Sequence, residues 1–330
     1  MVKVKRCFLA LTALVLQAAI YAFTTVPSFT YAADPYPASP VRIVVGFSPG
    51  GGTDLAARLI AVKLGERLRR AFVVENRAGA SGNIAAQNVA TSKPDGYTLL
   101  YVSIPHAVSA AFGKDLGYDP IADFEPISQV SASPALLNVG TTIPAANLRE
   151  LIALAKAQPG KLSFGSAGVG SSSHMSAELF RLLAGVDLLH VPYKGGSDAT
   201  RALLAGDISI SFNDIVAASQ LVRAGKVKAI AVTTRERSRV MPEVPTMAES
   251  GLPLYEYSVW SGLLAPRKTP PAIINKLHAE IVEILRAPDV AQKFQSEGGR
   301  AIGSTPEEFG RFLNGEVEKW RKVVKVAGME

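Results

Sequence analysis

Past residue 40 the chain repeats one alternation: a short apolar run, a glycine-rich break, then apolar positions at helical spacing. Val41-Arg42-Ile43-Val44-Val45 is followed by Gly46-Phe47-Ser48-Pro49-Gly50-Gly51-Gly52-Thr53-Asp54, after which Leu55, Leu59 and Val62 recur at i, i+4 and i+7. That order predicts strand, loop and helix. Phe72-Val73-Val74, a loop over residues 76–82, a helix from about Asn83, the turn Pro94-Asp95-Gly96 and a strand over residues 97–102 continue it. Strands alternating with helices through short loops predict a parallel α/β sheet.

The same unit then recurs. Leu162-Ser163-Phe164 leads into Gly165-Ser166-Ala167-Gly168-Val169-Gly170-Ser171-Ser172-Ser173-His174 and an amphipathic helix carrying Met175, Leu179 and Leu182. The strand Leu188-Leu189-His190-Val191, the loop Pro192-Tyr193-Lys194-Gly195-Gly196-Ser197, a helix with Leu203-Leu204 and the strand Ile208-Ser209-Ile210-Ser211-Phe212 follow. We therefore expect two similar α/β lobes facing each other. Residues 135–139 are expected to cross from the first lobe to the second, and residues 258–264 to cross back. Lobe 1 is then discontinuous, residues 33–134 plus 258–330, and lobe 2 is residues 135–257. Thr305-Pro306-Glu307-Glu308 reads as a capping box with proline at the first helical position. Trp260 falls in the return crossing and Trp320 on the tail helix, so only Trp260 is expected to report lobe motion.

The first residues have another layout. Lys3, Lys5 and Arg6 precede an uncharged run from Cys7 to Phe23, and Thr30-Tyr31-Ala32-Ala33 supplies small residues before Asp34. This reads as a secretory signal peptide over residues 1–32, cleaved after Ala32; an uncleaved anchor is the alternative. Three positive charges of the net +7 lie in that leader, which weakens a nucleic-acid reading. Arg235-Glu236-Arg237-Ser238-Arg239 is the densest basic stretch and is expected to be solvated, so no nucleic-acid partner is expected. The one cysteine, Cys7, removes a disulfide framework.

Each glycine-rich loop stands where a strand ends and a helix begins, so unpaired N–H groups and the positive helix end converge on one spot. Ligands of open α/β sheets bind along that edge, and four such loops on two lobes suggest an anion-facing cleft. Nucleotide motifs fail on inspection. Gly46-x4-Gly51-Gly52-Thr53 carries Gly52 where a phosphate loop needs lysine, and Ser173 replaces the third glycine of a dinucleotide fingerprint. Gly46-Phe47-Ser48-Pro49-Gly50 mimics a nucleophile elbow, but Pro49 lacks the N–H that an oxyanion hole requires. His106, His174, His190 and His278 have no metal-ligand spacing, so neither a metal site nor another cofactor is expected.

Several motifs together carry a resemblance. Tyr36-Pro-x-x-Pro40, Phe47-x-Pro-Gly-Gly-Gly-Thr-Asp54, Val74-Glu-Asn-Arg77, Gly79-Ala-x-Gly-Asn-Ile84, Pro94-Asp-Gly-Tyr-Thr-Leu99, His190-Val-Pro-Tyr-Lys-Gly195 and Pro242-Glu-Val-Pro-Thr246 are spread from about residue 36 to 328. The chain resembles the Bug family of extracytoplasmic solute receptors of tripartite tricarboxylate transporters. The resemblance implies an α/β, type II periplasmic binding protein fold: two lobes closing on a di- or tricarboxylate, acidic amino acid or aromatic acid. It further implies a periplasmic, non-catalytic monomer that hands its ligand to membrane permease subunits.

Carried onto this chain, the ligand-facing positions are Phe47, Gly51, Gly52, Thr53, Asp54, Ala80, Gly82, Ser103, His106, Ser166, Gly168, Gly170, Ser171, Ser172 and His174. Asn213 and Asp214 join them, in a turn where many members read Phe-Asp-Asn and this chain reads Phe212-Asn213-Asp214. With no Arg or Lys in residues 47–54 or 166–174, N–H groups around residues 51–53 and 170–172 are expected to meet the carboxylate, helped by Thr53, Ser171 and Ser172 hydroxyls. The competing functions are an exported enzyme using this cleft and a receptor serving a sensor.

Overall fold

A computed structural model describes residues 36–50, 52–113 and 116–328. The leader expected over residues 1–32 lies outside them, as does Gly51. From Pro37 onward the chain forms one compact unit built on two sheets.

The first sheet grows from β1 (Val41–Val45), β2 (Phe72–Asn76) and β3 (Thr98–Ser103), with β1 in the middle and parallel to both. The second grows from β6 (Ser163–Ser166), β7 (Leu189–Pro192) and β8 (Ile210–Asp214), with β6 in the middle and parallel to both. The alternation of strands and helices predicts wholly parallel sheets, but both sheets are mixed. β10 (Val259–Pro266) pairs antiparallel with β3 and with β4 (Phe124–Ser133), and β5 (Ala135–Gly140) pairs antiparallel with β8 and with β9 (Val227–Val232). The sheet orders are β11-β4-β10-β3-β1-β2, where β11 is Arg300–Ala301, and β7-β6-β8-β5-β9. Read from β2 and from β7, the first five strands match in order and direction, so the topology is duplicated. β5 and β10 are the strands at which the chain enters a sheet from the other one, and each runs antiparallel to both its neighbours.

β4 and β5 lie in different sheets with only Pro134 between them. The return runs from β9 to β10 through buried Thr233, which acts as a three-way tie. Thr233 N–H donates to Ala135 O at 3.0 Å, its Oγ1 accepts from Ala135 N–H at 2.8 Å, and its O accepts from Tyr257 N–H at 2.9 Å. Of the crossings expected at residues 135–139 and 258–264, the first lies entirely in the second sheet and the second, from residue 259, in the first sheet.

The helices follow the predicted order: α1 (Gly52–Leu68), α2 (Asn83–Ala90), α3 (Ile104–Ala111), α4 (Leu148–Ala157), α5 (Ser172–Ala184), α6 (Gly196–Ala205), α7 (Ile215–Arg223), α8 (Pro271–Arg286), α9 (Pro288–Ser296) and α10 (Pro306–Val326). The capping box at α10 forms as its sequence implies: Thr305 Oγ1 accepts from Glu308 N–H and Glu308 Oε2 from Thr305 N–H. The apolar face of α10 lies on β4 and α3 and also reaches α5. One core therefore runs from Val44 and Leu100 through Trp260 and Trp320 to Leu137 and Phe164. Gly262 explains itself here, because a Cβ would sit 2.2 Å from Phe309 Cζ where that ring covers β10.

Candidate functional site

All six parallel strands end on one edge of their sheets, and the glycine-rich loops gather there. Gly46, just past β1, lies so close to the loop after β2 that an added Cβ would be 2.5 Å from Gly82 Cα. That second loop is wound unusually: Gly79, Ala80, Ser81 and Gly82 all have positive φ, from 46° to 136°. Non-glycine residues held there cost about 1–3 kcal/mol each, and such strain gathers at ligand sites.

Between the lobes lies a cavity of about 340 Å³. Ser81, Asn83, Pro105, Val108, Ser109, Phe112 and Leu116 line one side and Val169 and Gly170 the other. Across it, a Cβ on Gly170 would touch the Phe112 ring at 3.8 Å. The described lining is uncharged, apolar along its length and polar at Ser81, Asn83 and Ser109. A side chamber of about 20 Å³ shares Ser81 and Asn83 and is bounded also by Gly46, Phe47, Gly82, Ser103 and His106.

Asn83 is oriented by its neighbour. Tyr118 O–H donates to Asn83 Oδ1 at 2.7 Å, which leaves the Asn83 amide group as a donor. Opposite, Ser171 caps α5 by accepting from His174 N–H at 3.3 Å. Among the described residues the N–H groups of Ser172 and Ser173 have no partner, as the first turn of a helix leads one to expect. The Ser172 hydroxyl is also unengaged among them.

Other positions singled out from the sequence hold the loops instead of facing the cavity. Asp54 is fully buried: its Oδ2 accepts from Gly50 N–H and Arg58 Nε, both at 2.9 Å, and its Oδ1 from Asn76 Nδ2 at 2.8 Å. The Arg58 bond is the main cause holding its pKa down at about 2, with Gly50 and Asn76 adding to it against burial. Asp54 thus knots the Gly46 loop to β2, and Asn76 also donates to Phe47 O at 2.9 Å. Thr53 and Gly52 open α1 but bound neither cavity, nor does Ala80, which is exposed.

His106 is buried, and its Nε2 donates to Pro120 O at 2.7 Å. Burial lowers its pKa to about 4, so it is a neutral packing residue against Phe124 and Tyr118. His174 is buried in a stack with Phe164 and His190 rather than offered as a donor. Its Nδ1 accepts from Gly170 N–H at 3.1 Å, so that amide, expected to meet ligand, is already occupied. Ser171 N–H is likewise taken by Gly168 O at 3.2 Å, and Gly168 N–H by Ser166 Oγ at 3.1 Å. Asn213 Nδ2 donates to Thr200 Oγ1 at 2.8 Å while its Oδ1 accepts from Asn138 Nδ2 at 3.0 Å; Asp214 caps α7 through Val216 and Ala217 N–H. Neither bounds the cavity.

Ser166 Oγ lies 2.6 Å from His190 Nε2, the nearest approach to a nucleophile and base. Ser166 is fully buried, and among the described residues no carboxylate orients His190. Asn83 stands in the quoted motif Gly79-Ala-x-Gly-Asn-Ile84 and was open to discovery from sequence. Phe112, Leu116 and Val108 were not, because an apolar residue on a wall and one in a core read alike.

A model of the tripartite tricarboxylate transporter family receptor matches residues 56–329. The chain belongs to that receptor family. It is 37% identical to protein BugT of Bordetella pertussis over 298 residues, covering 90% of this chain and 91% of that one. Its fold is similar to the structure of R. palustris Rpa4515 with adipate, at TM-score 0.77 and 37% identity, covering 89% of this chain and 98% of the other. It is also similar to MatC (Rpa3494) from Rhodopseudomonas palustris with bound malate, at TM-score 0.74 and 34% identity, covering 88% and 100%. The two-lobed α/β solute-receptor fold implied by the resemblance is thus the fold the chain has.

Proposed function

We propose that this receptor traps a small organic acid in the interlobe cavity, its carboxylate on neutral donors and its hydrocarbon body along the apolar wall. The observation that carries the reading is the cavity itself: about 340 Å³, without charge among its described lining residues, and bounded by Asn83 on one side and Val169 and Gly170 on the other. The Asn83 amide group, on the cavity wall, serves as one donor; Ser172 and Ser173 N–H, with the Ser172 hydroxyl and the positive end of α5, lie just past Gly170 and outside the described lining, and serve as the others when the lobes close. Hydrogen bonds to an ionised group contribute about 1.5–3 kcal/mol each, so three or four, after association costs, support a micromolar Kd near −8 kcal/mol. Val108, Phe112, Leu116 and Val169 favour a linear or aromatic acid with an unbroken hydrocarbon segment over a compact hydroxylated one. The adipate carried by one similar protein supports this choice.

In this reading lobe 1 is residues 33–134 plus 258–330 and lobe 2 residues 135–257, hinged at Pro134 and Thr233. The protein is exported by its leader, acts as a monomer without catalysis, and presents ligand to membrane permease subunits. Ligand released from natively purified protein by denaturation and identified by mass spectrometry tests it: an organic acid recovered unchanged is expected. A neutral sugar or a cation in its place would contradict the reading, and so would chemical conversion of added acids.

A further inference from the structure

A second cavity is larger than the interlobe one. This hollow, of about 430 Å³, includes Pro134 and Ser258, from the two connections between the sheets, in its lining. One wall is residues 234–240, which follow β9 of the second sheet; the other is residues 291–301, which end in β11 of the first. Arg235, Arg237, Arg239 and Arg300 line it against Glu236 and Glu256. The basic stretch expected to be solvated is exposed at Arg235, Arg237 and Arg239, and it also forms a wall of this concavity.

The pairing of these charges leaves cationic capacity. Arg235 pairs with Glu256 at 2.9 Å, and Arg237 turns away to Glu249 at 2.9 Å and Pro242 O at 3.2 Å. Arg239 has no acidic partner and no hydrogen bond among the described residues. Arg300 meets Glu236 only at 3.4 Å, between side chains 67% and 81% exposed, a loose contact that a better acceptor displaces. A guanidinium offers a planar fork of donors that fits carboxylate and phosphate oxygens in pairs. The walls are also held together: a Cβ on Gly298 would lie 2.4 Å from Ile215 Cγ2, so the stretch before β11 packs directly on α7.

We propose that this hollow is a second ligand site, for a small oxyanion-bearing metabolite whose phosphate or carboxylate group is held by Arg239 and Arg300. It is separate from the interlobe cavity in lining residues and in chemistry, since that cavity has no charged lining among the described residues.

Inorganic phosphate is the probe, followed by 31P line broadening on the full-length exported protein at low ionic strength. Saturable binding in the millimolar range is expected. Arg239→Gln combined with Arg300→Gln should weaken it at least tenfold, while Asn83→Ala and the exposed surface variant Arg201→Gln on α6, outside the lining of the hollow, leave it unchanged. Superimposable circular dichroism melts establish that the double variant is folded; if it is not, Arg239→Lys, retaining charge without the fork, should show a partial loss. No saturable binding would overturn the proposal. So would equal weakening by Arg201→Gln, which marks non-specific association, or loss in Asn83→Ala, which places the anion in the interlobe cavity.

Discussion

Trp260 and Trp320 donate their indole N–H groups to the same oxygen, Glu316 Oε2, at 3.0 and 3.1 Å. One tryptophan sits on β10 and the other on α10, so a single buried carboxylate joins strand and tail helix. Lys319 completes the cluster, bonding Glu316 Oε1 and lying 4.8 Å from the Trp320 ring centre. The expected contrast, a reporting Trp260 and a silent Trp320, does not suit this arrangement. Trp320 also meets Tyr257 edge-on at 5.9 Å, and Tyr257 O–H donates to Ser172 O at 2.8 Å, at the start of α5. Both tryptophans are expected to respond to ligand, and Trp260→Phe and Trp320→Phe should each keep part of the signal. Removing the shared acceptor with Glu316→Leu should cost about 2–4 kcal/mol in a denaturant titration, because two buried indole donors lose their partner.

Gly46 is required for a different reason, the approach of two backbones. With Gly82 Cα only 2.5 Å from any Cβ there, Gly46→Ala must move one loop or the other. Ligand affinity is expected to fall at least tenfold by calorimetry. Gly315 is the contrast, exposed within α10 with nothing within 4 Å of a Cβ. Gly315→Ala should raise stability by about 0.5–1 kcal/mol and leave affinity alone.

How much of this was legible in the sequence depends on the kind of signal. The period of apolar residues located the βαβ units, and the duplicated order of strands followed from them. The antiparallel entries of β5 and β10 were hidden, because one strand's sequence does not name its partners. At the site, the glycine-rich loops at the strand ends were legible, but the approach of Gly46 to Gly82 was not, because it joins two loops far apart in sequence. Asp54 and His174 misled: a polar residue in a loop beside a cleft can face ligand or hold the loop, and these hold it. Phe112 carried no mark at all, because its role comes from Gly170 reaching it from the other lobe.

Acid should destabilise the protein through its buried histidines. His106 and His174 are neutral when folded, with pKa values lowered from 6.5 to about 4, chiefly by burial. The unfolded chain takes up a proton below about 6.5 and the folded one only near 4. Stability is therefore full above pH 6.5 and lost as pH falls to 4, on the order of 3 kcal/mol for each histidine. Protonating His174 also removes the acceptor for Gly170 N–H. Melts at pH 7.5, 6 and 5 should show falling midpoints, with a shallower fall in His174→Asn, which keeps an acceptor without the titration.

Export is checked by mass. If the leader of residues 1–32 is cleaved, protein recovered from the periplasm should begin at or within a few residues of Ala33. An intact mass retaining Met1 in that fraction would contradict the export reading.

The most direct measurement is calorimetric titration of adipate into the ligand-free receptor and into Asn83→Ala and Ser172→Ala. The account expects micromolar binding to the unchanged protein, weakened about tenfold or more by Asn83→Ala and about tenfold by Ser172→Ala, with melting curves retained. At one hundred times Kd, ligand should add about 2.7 kcal/mol of stability. Neutral sugars should release no heat. The account is contradicted if a panel of linear and aromatic carboxylates gives no binding while sugars or cations bind, or if carboxylate binding survives both substitutions unchanged.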